Sequence, residues 1–238
     1  MALLKWNQKL TPLDNEIQQL KQEVIAMWEI VVSQLQKAQA ALVHLDRDLA
    51  REVILTEKRV NAFELKIDRD SEDILALFAP VAIDLRFILA VLKINTNLER
   101  TGDIAEGIAK FVVEIASDLD SRLLEITRVT EMFQQGHEMV ADVMNAFEAE
   151  DTMLARKVFK KDDLLDEINK NAAAVVAAFI KENPEKAESA LYILSAIRKL
   201  ERVGDQAKNM AEEIIFYSEA KVLKHKSKNK KSNPEADQ

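Results

Sequence analysis

Turn-forming residues are scarce in this sequence, with four glycines and four prolines among 238 residues. Together they make about 3% of the chain, against about 12% in average usage. A β-sandwich or a βαβ fold needs turn residues every dozen positions or so, and they are missing here. Cysteine is absent, which excludes disulfides, thiolate zinc sites, iron–sulfur clusters and cysteine nucleophiles. Long apolar runs are lacking too. The longest, AAAVVAAFI at 172–180, is about half of a membrane span. The opening MALLKWNQKL lacks a basic leader followed by an apolar stretch, so no secretion signal is expected. These absences predict a soluble, cytoplasmic, all-α protein without membrane insertion.

What is abundant fits that class. Hydrophobic residues make 48% and charged residues 31% of the chain, with only 5% aromatic, and the net charge is −8. The charge is uneven. Residues 221–238 carry six lysines against Glu235 and Asp237, and the other 27 basic and 39 acidic residues leave the body at −12. An acidic body argues against nucleic-acid binding, where phosphate contacts require positive charge. The Lys-rich tail has almost no apolar residues and reads as a disordered, solvated segment.

Apolar residues recur at three- and four-residue steps from Leu13 through Ile17, Leu20, Val24, Met27, Trp28, Val31 and Leu35 to Leu42. That spacing predicts one long amphipathic helix. A second, capped by Asp46 or Asp48, carries Val53, Val60, Phe63, Ile67, Ile74 and Leu77 to Pro80. Asp84 is the expected cap of a third, which runs from Leu85 to Ile115. Three more follow over 121–149, 151–182 and 187–220, giving six long helices.

The two halves repeat. Moved by 102 positions, NLERTGDIAEGIA at 97–109 lies over KLERVGDQAKNMA at 199–211 with seven of thirteen residues identical. Moved by 105, Asp46, Leu49, Ala50, Arg51 and Val53 meet Asp151, Leu154, Ala155, Arg156 and Val158. The chain reads as two tandem three-helix bundles related by a pseudo-twofold, 1–117 and 118–220, followed by the tail 221–238.

The repeated element is Leu-Glu-Arg-x-Gly-Asp. Glu99 and Asp103, like Glu201 and Asp205, stand one helical turn apart, so each pair points one way. Like charges at that spacing repel unless a cation sits between them, and carboxylate oxygens suit Mg, Mn, Fe or Zn ions. Acid pairs alone mean little, since chance supplies about seven in a helical chain of this composition. Here the same element recurs in both repeats. Asp162 and Asp166 add a further pair on the preceding helix of the second half, where the first half has Glu57 and Asn61. Asn61 replaces a carboxylate and makes the first site the weaker. At about 100° per residue, Glu201 and Asp205 fall on the flank of the core stripe, so the site is expected at the surface. Gly102 and Gly204, mid-helix, read as close packing points, and Arg100 and Arg202 as partners of the adjacent acids.

No enzyme signature accompanies these acids. Di-iron bundles need Glu-x-x-His, and none of His44, His137 or His225 follows a Glu by three. GDIAEG at 102–107 lacks the Lys-Ser/Thr of a P-loop, and no nucleophile elbow or His-based triad is present. The expectation is a regulatory module and not an enzyme. A surface cluster that activates water remains the competing reading.

Two three-helix repeats, APVAIDLR at 79–86 and the twice-used LERxGDxA resemble the PhoU family of phosphate-uptake regulators over roughly residues 13–217. The resemblance implies a cytoplasmic negative regulator of phosphate uptake and of the phosphate-starvation response. It implies two partners, a phosphate ABC transporter's ATPase subunit and a membrane sensor histidine kinase, and a homodimer. It also implies surface iron or zinc, or manganese or magnesium, bound by E/D-x-x-x-D motifs. These fall on Glu99/Asp103, Glu201/Asp205 and Asp162/Asp166, with Glu57/Asn61 as the imperfect fourth. Similar domains also serve low-affinity phosphate permeases, which is the alternative role.

Overall fold

The computed structural model describes residues 11–116 and 118–221, and all regular structure among them is helical. Three helices of nearly equal length open the chain: α1 (Pro12–His44), α2 (Arg47–Phe78) and α3 (Ala82–Glu114). Four follow: α4 (Ser121–Thr127), α5 (Val129–Ala149), α6 (Thr152–Glu182) and α7 (Ala187–Glu219), with a 3-10 turn Pro184–Lys186 before the last. The expectations for the leader and for the tail beyond Lys221 lie outside the described residues.

Local chemistry sets the boundaries. Thr11 and Asp14 form a reciprocal capping box at the start of α1. Asp46 accepts from the backbone N–H groups of Asp48 and Leu49, and Asp151 accepts from those of Met153 and Leu154. The repeat noted in sequence is therefore a repeated N-cap. The third helix departs from expectation. It begins at Ala82, its N-cap is Val81 without a side-chain cap, and Asp84 lies inside the first turn. There its charge still favours the positive end of the helix dipole.

The fourth helix is broken at Arg128, whose φ of 55° caps α4 and opens α5. Its guanidinium holds the break by donating to Glu131 and Glu167. Neither Gly nor Pro marks the position, so periodicity alone runs straight through it. All four glycines avoid positive φ. Among the described residues the left-handed positions are Leu45, Ala79, Ala82, Arg128, Glu150 and Ala220.

Helices α1, α2 and α3 pack on one another, as do α5, α6 and α7, and the halves join through α3 against α7 and α1 against α5. Like elements of each repeat thus meet, which is the pseudo-twofold arrangement. At this junction Trp28, Phe87, Phe147 and Tyr217 form one aromatic cluster from four helices. Trp28 donates its indole N–H to the Val140 carbonyl at 3.1 Å. Val53, Val60, Ile67 and Ile74 of α2 are buried as their spacing predicts, whereas Leu77 is 76% exposed. With Val81 and Ile83 it forms an apolar tip at the α2–α3 turn.

Candidate functional site

Each Leu-Glu-Arg-x-Gly-Asp element lies mid-helix, on α3 or α7, beside a buried acid from the preceding helix. In the first repeat that acid is Glu57, 4% exposed. A Cβ on Gly102 would stand 2.8 Å from Glu57 Oε2. In the second it is Asp162, 6% exposed, with Oδ1 2.7 Å from the same point on Gly204. The glycines are therefore close-packing points, and what packs there is a carboxylate.

This corrects the expectation of a purely surface site. Glu99, Glu201 and Asp205 are half-buried, while Asp103, Asn61 and Asp166 are exposed. Glu57 and Asp162 lie in the core. Asn61 points to solvent, and the first repeat gains two acids that sequence spacing passed over. Glu64 and Asp68, also one turn apart on α2, flank Asn95, whose amide donates to the Glu64 carbonyl at 2.9 Å and to Asp68 Oδ1 at 2.8 Å.

The electrostatics of the two clusters differ. Burial pushes Glu57 up to about 7, reinforced by Asp103, Glu106 and Glu99 against a hydrogen bond from Gln34. Gln34 Nε2 donates to Glu57 Oε2 at 3.0 Å, and Glu57 Oε1 and Gln34 Oε1 are left without partners. Burial and then Asp103 and Glu64 raise Glu99 to about 6. Glu64 rises for the same reasons, through burial, Asp68 and Asp103. The first cluster is a set of mutually repelling carboxylates.

In the second cluster the protein supplies a cation. Lys208 donates to Asp162 and, at 2.8 Å, to Asp205. Burial opposes the charge on Lys208, but these two carboxylates raise its pKa overall. Glu201 remains raised by burial and by Asp205 and Asp166. The residue that matches Lys208 in the first repeat is Glu106, which turns to Lys110 at 2.6 Å. Both positions fall inside the matched segments 97–109 and 199–211, so their equivalence can be read from the sequence, whereas the contact of Lys208 with Asp162 cannot.

Metal binding can be weighed on these donors. Among the described residues no three His, Asp or Glu side chains are gathered as a ready ligand set. The first cluster has the right chemistry, being unneutralised oxygen donors with the orphaned buried Glu57 Oε1 beneath them. In the second, Lys208 bridges Asp162 and Asp205, and Asp162 Oδ1 is likewise without a partner. Neither Arg100 nor Arg202 makes a side-chain hydrogen bond or close ion pair among the described residues, but the charge of Arg100 does oppose the rise in the pKa of the adjacent Glu99.

Comparison with known proteins agrees with this architecture. The PhoU domain model matches twice, over residues 24–112 and 129–214. The phosphate-specific transport system accessory protein PhoU homolog 1 of Thermotoga maritima is 31% identical over 211 residues, 89% of this chain and 90% of that protein. The crystal structure of PhoU from Pseudomonas aeruginosa superimposes with a TM-score of 0.82 at 30% identity, covering 87% of this chain and 99% of that one. That of the phosphate transport system regulatory protein PhoU from Streptococcus pneumoniae gives 0.77 at 25% identity, with 89% and 99% covered.

Proposed function

The chain belongs to the PhoU family, and from that premise we propose that it is a cytoplasmic negative regulator of phosphate uptake and of the phosphate-starvation response. In this reading it is a non-catalytic adaptor between a phosphate ABC transporter's ATPase subunit and a membrane sensor histidine kinase. The observation that carries it is agreement over 88–89% of the chain, through both repeats, with proteins named for the phosphate-specific transport system. No helix among the described residues is long and apolar enough to cross a membrane, which suits a protein that reaches membrane complexes by docking. The exposed apolar tip Leu77, Val81 and Ile83, at a turn with Ala79 and Ala82 in the left-handed region, supplies surface for such docking.

A divalent or trivalent ion, iron or zinc or else manganese or magnesium, would be held by Glu99 and Asp103, and would offset the repulsion among the carboxylates around Glu57 and Glu64. The protein's own residues then set the shape of the α2–α3 face. In the second repeat Lys208 does this for Asp162 and Asp205 without an ion. Affinity capture with the purified full chain tests the adaptor role. Binding of both the transporter ATPase and the kinase's cytoplasmic portion is expected. Binding of neither would reject it.

A further inference from the structure

Because α3 and α7 are equivalent helices packed on each other, each feature at one end of their contact has a counterpart at the other. One end is closed. Lys199 of α7 lies across Gly107 of α3 so closely that a Cβ there would stand 2.5 Å from its Nζ. The ammonium rides over the Phe111 ring, 5.7 Å from its centre. The 102-residue offset exchanges Lys199, Gly107 and Phe111 for Asn97, Asn209 and Glu213 at the other end. There a short amide replaces the long lysine, and the contact stays open as a hollow of about 320 Å³.

The lining of this hollow is of mixed charge and combines polar groups with apolar surface, Leu92 included. Lys93, Thr96, Asn97 and Arg100 come from one face of α3, at positions i, i+3, i+4 and i+7, and Asn209 and Glu213 come from one turn of α7. The amides are tied into the wall. Asn97 donates to the Lys93 carbonyl at 2.6 Å, and Asn209 donates to Asn97 Oδ1 at 3.4 Å. Lys93 is held by Glu213 at 3.0 Å and lies over the Phe216 ring at 5.4 Å. Glu213 is only 3% exposed. Arg100 makes no side-chain hydrogen bond or ion pair among the described residues, its charge acting on the adjacent Glu99, and its planar fork matches a tetrahedral oxyanion.

We infer that this hollow binds inorganic phosphate, with Arg100 and Lys93 as the charged donors, Asn209 beside them, and the carboxylate of Glu213 accepting a hydrogen bond from a protonated phosphate oxygen. The last contact sets selectivity. Phosphate keeps at least one proton near neutral pH and can donate it to a carboxylate. Sulfate has none and would meet Glu213 as a like charge. The choice of phosphate as the oxyanion rests on the regulatory reading above, whereas the donor set follows from the fold.

Calorimetric titration of the full chain with sodium phosphate and with sodium sulfate, at constant ionic strength, tests the site. Saturable phosphate binding is expected, with sulfate at least about tenfold weaker. Arg100→Ala should weaken phosphate binding at least about tenfold. Asn209→Leu, which fills the hollow without changing its charge, should do the same. Arg202→Ala, the counterpart at the closed end, should leave binding unchanged, and Glu213→Gln should bring the two anions close to equal affinity. Thermal melts of each variant report folding. Absence of saturable phosphate binding overturns the site. So does equal affinity for the two anions in the wild type, or indifference to both Arg100→Ala and Asn209→Leu. The two readings fail separately. If the wild-type chain represses the phosphate response in cells but binds no phosphate, the site falls and the regulatory reading stands. If it binds phosphate but its deletion leaves that response unchanged, the regulatory reading falls and the site stands.

Discussion

Lys208 of α7 and Glu106 of α3 are repeat equivalents of opposite charge, and this exchange divides the labour of the two acidic clusters. The ammonium of Lys208 bridges Asp162 and Asp205, whereas the first cluster holds only acids around Glu57. Two sites alike in their Leu-Glu-Arg-x-Gly-Asp elements thus differ in whether the protein supplies a cation of its own.

Metal content should follow that division. After dialysis against manganese or zinc, elemental analysis should find that Asp103→Asn lowers the bound metal per chain. Asp205→Asn should leave it near the wild-type value. Equal loss in the two variants would show that Lys208 does not replace an ion.

Breaking the internal pair should cost more than breaking an exposed one. Lys208→Met leaves Asp162 buried without its partner and should destabilise the fold by about 3–5 kcal/mol at neutral pH. Chemical denaturation measures this. The Asp162→Asn, Lys208→Met double variant should recover much of the loss, because it removes the uncompensated charge.

Glu57 gives the first repeat a pH dependence of defined sign. Burial raises its pKa in the folded chain to about 7 from an ordinary value of 4.5, so the folded state binds a proton that the unfolded chain releases. The stability this contributes is fully present below the unfolded value and is lost as pH rises through about 7. A tenfold change in proton affinity corresponds to about 1.4 kcal/mol, which puts the effect on the order of 3 kcal/mol. Glu57→Gln should flatten the dependence and raise stability at pH 8, its amide donating to the unpartnered Gln34 Oε1. Denaturation at pH 5 and pH 8, without added metal, gives the comparison. An unchanged slope in the variant would remove Glu57 as its source.

The glycines separate packing from propensity. Gly204→Ala gains helix propensity of about 1 kcal/mol but sets a Cβ 2.7 Å from Asp162 Oδ1 and 2.8 Å from Leu165 Cδ2. A net loss of about 1–2 kcal/mol is expected in chemical denaturation. At Gly136 the nearest atom to such a Cβ is Val203 Cγ1 at 3.5 Å, an ordinary contact. Gly136→Ala should therefore be neutral or stabilise by up to about 1 kcal/mol.

Much of the fold was legible because helices announce themselves by period. The stripe from Leu20 to Leu42, the caps Asp46 and Asp151 and the repeated Leu-Glu-Arg-x-Gly-Asp all depend on local spacing. The break at Arg128 was not legible, because neither Gly nor Pro marks it and part of what holds it, Glu167, comes from α6. The site was half legible. Spacing found Glu99/Asp103 and Glu201/Asp205 but missed Gln34, which reaches Glu57 across 23 positions. It also missed Lys208, whose role appears only once α6 lies against α7.

Repression of the phosphate response is best tested through alkaline phosphatase activity of the source organism in phosphate-rich medium, with and without this gene. Constitutive activity is expected in the deletion strain, with repression restored when the wild-type chain is supplied. An unchanged, repressed level in the deletion strain would contradict the regulatory role.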